Sequence, residues 1–353
     1  MASDVGALGP EAYLRQTEAV RRFSNLTILV FGDVMLDEYL WGEVHRVSPE
    51  APVPVVEIKR ETVVPGGAAN AACGVVTLGG SAELGGVLGQ DYPGQRLMSA
   101  VRDRGVAVSG LQVDLTRPTT IKTRVVAGSQ HVVRADRELA APLSEQLQQG
   151  LREWAKAKLP AADAVIVSDY AKGTVTADLS RWILAAAGER GVPAVVDPKG
   201  RQYDRYEGAT VVTPNRHEAE LASGETIVDD AGLSRAAHRL MREFHGSVII
   251  TRGSAGMSVF EDVDQQALHI PTVARNVYDV TGAGDTVVAC LTLALASGLP
   301  LVDAAHVATL GAGIAVGRLG TAAVSAAELL EALKADVGPR AQRRGDPAGI
   351  EAI

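Results

Sequence analysis

Short apolar runs alternating with amphipathic stretches set the strongest limit on what this chain can fold into. AVIVSDY at 164 to 170 precedes a helical pattern near 176 to 190, and PAVVDPKG follows at 193 to 200. ATVVTPN at 209 to 215 leads into a further helix and then SVIITRG at 247 to 253, while LTILVFG at Leu26 to Gly32 has the same character. Strands apolar at consecutive positions are buried on both faces and need helices above and below them. The rhythm therefore predicts an α/β fold with a doubly wound, mostly parallel sheet. Ligands of such sheets bind beyond the carboxyl ends of the strands. The polar clusters Gly32-Asp33, Ser168-Asp169-Tyr170, Asp197-Pro198-Lys199, Pro214-Asn215 and Thr251-Arg252-Gly253 all fall there.

Residues 38 to 60 break this rhythm, with Trp41, Val44, Val47, Val53, Val55 and Ile58 spaced irregularly among Pro49, Pro52 and Pro54. Proline confines such strands to a sheet edge or a lid. With further short strands between about 110 and 134, they suggest a small β lid on one large domain at 26 to 335. An N-terminal helical extension is expected at 1 to 25, and the polar tail at 336 to 353 reads as disordered.

Charged residues are 22% of the chain and its formal net charge is -8, so no basic field is available for nucleic acid. Cys73 and Cys290 lie far apart in apolar helical stretches and read as buried free thiols. The first 25 residues lack a signal-peptide core, and the apolar run at 286 to 296 is shorter than the roughly 20 residues that span a bilayer. A cytoplasmic enzyme without membrane contact is the expectation. The chain contains no GxxxxGK[ST] loop, no GxGxxG after the first strand, no second histidine near His217-Glu218 and no GxSxG elbow. These absences count against P-loop, dinucleotide, zinc-hydrolase and acyl-transfer chemistry.

The densest motif is Asp279-Val280-Thr281-Gly282-Ala283-Gly284-Asp285, directly before an apolar helical run. A helix start offers unpaired N–H groups and partial positive charge, which favour phosphate. Capping alone would explain Thr281, but two glycines in a first turn each cost about 0.5 to 1 kcal/mol relative to alanine. Close approach of a ligand to backbone accounts for them. Pro65-Gly66-Gly67-Ala68-Ala69-Asn70 is either an ordinary turn or a place where a sugar hydroxyl meets bare backbone. Asn215 and Glu218, three apart, are either a solvated first turn or a pair that orients water on Mg²⁺. Lys172 and Lys199 follow neighbouring strands and are either solvated or share an anion.

Together, GGxxN at 66 to 70, Asn215-x-x-Glu218 and DVTGAGD at 279 to 285 resemble the ribokinase-like (PfkB) sugar kinases from about residue 25 to 335. Gly32 to Asp37, Arg46 to Val55, Ser168 to Gly173 and Asp197 to Gly200 resemble the heptose 7-phosphate kinases within that family. The resemblance implies ATP-dependent phosphorylation at C1 of D-glycero-β-D-manno-heptose 7-phosphate, as in ADP-heptose synthesis. It also implies Asp285 as the base, with the amides of Gly282, Ala283 and Gly284 as the anion hole. Asn215, Arg216, His217, Glu218, Thr251 and Gly253 fall on the ATP side, with Mg²⁺ near Asn215 and Glu218 through water. Sugar contacts are expected from Asp33, Asp37, Gly66, Gly67 and Asn70, and a K⁺ ion is a candidate near Asp279 and Thr281. Lys172 and Lys199, which suit a phosphorylated sugar, are assigned to substrate as well. The partners expected are a small sugar phosphate, ATP and a second copy of the chain paired through the lid. The absence of a nucleotidyltransferase half suggests a stand-alone kinase. The alternatives are another PfkB kinase, of the ribokinase, fructokinase or phosphofructokinase type, or a silent sugar-phosphate-binding protein.

Overall fold

Alternate residues of the central strands enter two different cores. Ile28 and Val30 face one and Leu29 and Phe31 the other, all at most 1% exposed. Ile166 against Val165 and Val167, and Ile249 against Val248 and Ile250, repeat the division. Consecutive apolar residues are needed because each side of the sheet is covered by helices. This is the α/β architecture that the sequence predicts.

The protein, seen as a computed structural model, is described over residues 3–4, 9–128, 130–273, 280–318 and 323–343. Its large sheet has ten strands. In spatial order they are β1 (Ser3–Asp4), β14 (Leu268–Ile270), β13 (Met257–Phe260), β12 (Ser247–Thr251), β11 (Val211–Val212), β10 (Ala194–Asp197), β9 (Ala164–Ser168), β2 (Thr27–Gly32), β5 (Ser81–Gly89) and β6 (Ala107–Asp114). Pairing is parallel from β12 to β6 and antiparallel at β12–β13 and β13–β14.

Helices α1 (Pro10–Arg22), α2 (Ala68–Thr77), α8 (Ala283–Ala296), α9 (Leu301–Val316) and α10 (Ala326–Arg343) cover one face. The other is covered by α4 (Glu145–Lys158), α5 (Ala177–Glu189), α6 (Arg216–Ser223) and α7 (Asp230–Phe244). Helix α3 (Tyr92–Arg102) links the edge of the large sheet to the second sheet. That sheet has the order β4 (Pro54–Gly67), β3 (Val34–Val47), β7 (Ile121–Ala127), β8 (Gln130–Arg137).

Three boundaries differ from the sequence reading. The strand expected near 110, counted there with the lid, is β6 and extends the large sheet beside β5. Its companions at 121–127 and 130–137 do join β3 and β4. The lid strands are longer than 38 to 60, because Pro49 and Pro52 sit in the connection between them and leave both ladders intact. Backbone expected to be a disordered tail is helical to Arg343, and the rest of that tail lies outside the described residues.

Candidate active site

Strand order reverses between β2 and β9, since the chain leaves β2 toward β5 and β6 and returns to β9 and β10 on the other side. This switch point opens a crevice at the carboxyl ends of both strands. The loop after β9 is shaped by two carboxylates. Asp33 accepts from the backbone N–H of Tyr170, Lys172 and Thr174, each at 2.9 Å. Asp169 accepts from Ala171 N–H at 2.7 Å, with Ala171 at a left-handed φ of 56°. Such a conformation in alanine is held only by strong surrounding contacts. Asp33, expected as a sugar contact, is 1% exposed, and both of its oxygens are engaged by the loop.

Helix α8 starts beside this loop. Gly282 is its N-cap residue at φ 77°, and no side chain caps it, so Thr281 is not the cap. The Ala283 N–H, expected in the anion hole, turns back to Val280 O at 3.2 Å. The regular ladder begins with Thr286 N–H to Gly282 O, and the Gly284 N–H has no partner within the helix. A Cβ built on Gly284 meets nothing within 4 Å, so its surroundings are open. Asp285 is buried in the first turn. It accepts from Asn70 Nδ2 at 2.7 Å and from the Tyr170 hydroxyl at 3.0 Å. Burial pushes its carboxyl up to about 6, with the Asp37 charge adding to the rise and the two hydrogen bonds opposing it.

Across the crevice, Asp37 is 6% exposed and accepts from Arg124 Nη1 at 2.6 Å. Gly67, at a left-handed φ of 59°, must be glycine, since a Cβ there would stand 2.4 Å from Asp33 O, while one on Gly66 would stand 2.6 Å from Asp37 Oδ2 and push that side chain aside. Their first role is thus to let α2 begin close to both aspartates, which puts Asn70 in reach of Asp285.

Lys172 and Lys199 are not brought together. Lys172 Nζ donates to Glu138 at 2.7 Å on the lid side, whereas Lys199 Nζ donates to Glu218 at 2.6 Å. Neighbouring strand ends sent the two side chains to different partners. At the start of α6, Asn215 Oδ1 accepts from Glu218 N–H and Glu218 Oε2 from Asn215 N–H, both at 2.9 Å. This reciprocal capping box explains the three-residue spacing on local grounds. Arg216 turns to Ile227 O and Glu220, and His217 is exposed.

Asn215 bridges Thr251 in parallel, so α6 begins beside the loop after β12. There Thr251 and Gly253 line a cavity of about 320 Å³ with Val280, Ala283, Gly284 and Val287. Its mostly apolar lining, and the first turn of α8 in its wall, suit a nucleotide base with its phosphates toward α8.

Among the described residues no group of three His, Cys, Asp or Glu side chains is arranged to hold a metal. Glu218 already carries hydrogen bonds on both oxygens, so a contact to an ion through water fits it better than direct ligation. Thr281 lies in the turn before α8, while Asp279, its partner in the expected K⁺ site, lies outside the described residues. No helix among the described residues is long and apolar enough to cross a membrane.

Tyr170 and Asp197 were missed as site residues. Asp197 is held well above the usual carboxylate range, first by burial and then by the charges of Asp285 and Glu218. Both sit in strand-end clusters visible in the sequence, yet only the crossing of β9 and β10 under α8 brings them to Asp285.

The pfkB family carbohydrate kinase model matches residues 25–328. A protein of Syntrophotalea carbinolica named bifunctional protein HldE is 45% identical over 313 residues, covering 88% of this chain and 64% of that one. The chain thus spans less than two thirds of that relative. Among solved structures, Arabidopsis thaliana ribokinase complexed with ribose and ATP has a TM-score of 0.68 at 20% identity, covering 88% of this chain and 98% of that one. Escherichia coli phosphofructokinase-2 in complex with potassium has a TM-score of 0.72 at 19% identity, with the same two coverages, 88% and 98%. These two likenesses are of fold, and the family match supplies the chemistry. The chain belongs to the pfkB family of carbohydrate kinases, and it is a sugar kinase.

Proposed function

We propose that the chain transfers the γ-phosphoryl group of ATP to the C1 hydroxyl of D-glycero-β-D-manno-heptose 7-phosphate. The observation that carries this reading is Asp285, a buried carboxylate at an uncapped helix start, between the lid and a nucleotide-sized cavity. The sugar itself is supported by the motifs at 32–37, 46–55, 168–173 and 197–200.

Asp285 takes the proton of the anomeric hydroxyl while that oxygen bonds to the γ-phosphorus and the bond to ADP breaks. A carboxyl at about 6 is mostly ionised at neutral pH and is more basic than an ordinary aspartate, as the step requires. Asn70 and Tyr170 fix its two oxygens. The N–H groups of Gly282 and Gly284 stabilise the charge on the transferred group, and the lid excludes water. A divalent ion carried with ATP neutralises phosphate charge. Asn215 and Glu218 would hold it through water, and Lys199, paired with Glu218, would add positive charge on the same side. Asp37, Gly66, Gly67 and Asn70 frame the sugar, and Thr281 borders the candidate K⁺ site.

We infer in addition that two lids pair in a homodimer. Val44, Val47, Val53 and Ile58 are 42 to 63% exposed at the end of the lid where β3 connects to β4, although Trp41 is covered by Tyr39 and Arg60. Light scattering at micromolar concentration checks this, and a monomer would count against it. The main test is ATP consumption with heptose 7-phosphate, with the product identified by phosphorus NMR. Absence of a 1,7-bisphosphate would overturn the substrate reading.

A further inference from the structure

The lid sheet has two unlike faces. Glu38 and Thr123 are paired in register on one, where Arg96 of α3 reaches Glu38 and Glu61. The adjacent register, and so the opposite face, carries the row Asp37, Lys122, Asp136 across β3, β7 and β8. Asp37 of this row stands against Gly66 just before α2, and Lys122 shares Glu138 with Lys172 of the loop after β9, so the row looks onto the crevice.

Lys122 Nζ lies 3.0 Å from Asp136 and 3.4 Å from Glu138, and Lys172 Nζ lies 2.7 Å from the same Glu138. One carboxylate is therefore held between two ammonium groups, one from the lid and one from the loop after β9. The three side chains are 15, 19 and 28% exposed for Lys122, Lys172 and Glu138. Lys172 stands two residues from Tyr170, whose hydroxyl touches the base. The loop after β9 thus supplies both a hydroxyl that donates to the base and an ammonium that meets the lid. Arg124 is committed to Asp37, and Lys199 to Glu218.

We propose that Lys122 and Lys172 are the pair that binds the phosphate at the far end of the sugar, and that Glu138 is the anion they release when it arrives. This rests on the sugar-phosphate reading above and names the residues that decide it. A phosphate carries nearly two charges and three acceptor oxygens, so it outcompetes one carboxylate for two ammonium donors. A neutral sugar cannot replace Glu138 without leaving partly buried charges unpaired. The same ion pair that keeps the empty site stable thereby rejects the unphosphorylated sugar. Lys122 has no motif around it that marks it in the sequence.

The test is steady-state kinetics on the full chain with heptose 7-phosphate, the same heptose without phosphate, and a panel of other sugar phosphates. Lys122→Ala and Lys172→Ala should each raise the KM for the phosphorylated sugar tenfold or more and leave the KM for ATP within twofold. If the wild type prefers heptose 7-phosphate and both variants keep its KM within twofold, the lysine pair is overturned while the substrate reading stands. A preference for another sugar phosphate, with its KM raised by both variants, removes the heptose and upholds the pair. Equal use of phosphorylated and unphosphorylated sugars by the wild type overturns both. Since Lys172 also belongs to a shaped loop, Glu138→Gln is the second probe, read by competitive inhibition with inorganic phosphate. Inhibition at least threefold tighter supports the released anion, and unchanged or weaker inhibition overturns it.

Discussion

Helices α6 and α8 both start with polar residues at the rim of the crevice, and their first turns are built in opposite ways. In α6, Asn215 and Glu218 satisfy each other's backbone N–H groups, so the helix start is closed upon itself. In α8 the N-cap is a glycine, no side chain caps, and the carboxylate of the first turn is held by Asn70 and Tyr170 from other elements. A self-capped start stabilises its helix, typically by about 1 kcal/mol. An uncapped start forgoes this and keeps donors for a ligand.

The largest effect should come from Asp285→Asn, which keeps the shape of the side chain and removes the base. Turnover should fall by about 10² or more while substrate still binds. The same change should stabilise the fold. The folded carboxyl titrates at about 6 against 3.8 for an ordinary aspartate, so its ionisation costs stability in full above about pH 6, and that cost is gone below about pH 4. Thermal unfolding should show the variant gaining over the wild type at pH 8 and no gain at pH 4. Near-normal turnover would remove Asp285 from its role as base.

Gly284→Val probes the open side of the same turn. A Cβ there meets nothing within 4 Å and the residue lines the nucleotide-side cavity. The fold should therefore survive, while turnover drops by about tenfold to a hundredfold. An active, folded variant would sink the anion-hole assignment.

Tyr170→Phe withdraws one hydrogen bond from the base. That bond lowers the carboxyl's titration point, so its loss should move the acid limb of the kcat profile upward from about 6, with a loss of a few fold at neutral pH. An unmoved limb would mean that Tyr170 does not act through Asp285. The smallest effect on turnover is expected at α6. Asn215→Ala should cost about 1 kcal/mol in urea unfolding, and ATP KM should rise more than the sugar KM. A loss as large as that of Asp285→Asn would erase the contrast between the two helix starts.

The sequence by itself determined the architecture, because a strand buried on both faces must be apolar at consecutive positions, and Ile28 to Phe31 or Val165 to Val167 show this without any partner. It also marked Asp285, since paired glycines in a helix start are locally unfavourable and need a reason beyond the helix. Asn215 and Glu218 were equally visible, but their spacing suits both a capping box and an ion site, and capping is what the fold shows locally. Tertiary structure alone decided the rest. Whether β6 joins the lid or the sheet depends on pairing between distant segments. Both oxygens of Asp33 are taken by three N–H groups of a loop more than 130 residues away. Lys172 and Lys199 look alike in the chain, yet one meets Glu138 and the other Glu218. Charge partners are set by side-chain directions at the ends of crossing elements, and a linear pattern carries no record of those directions.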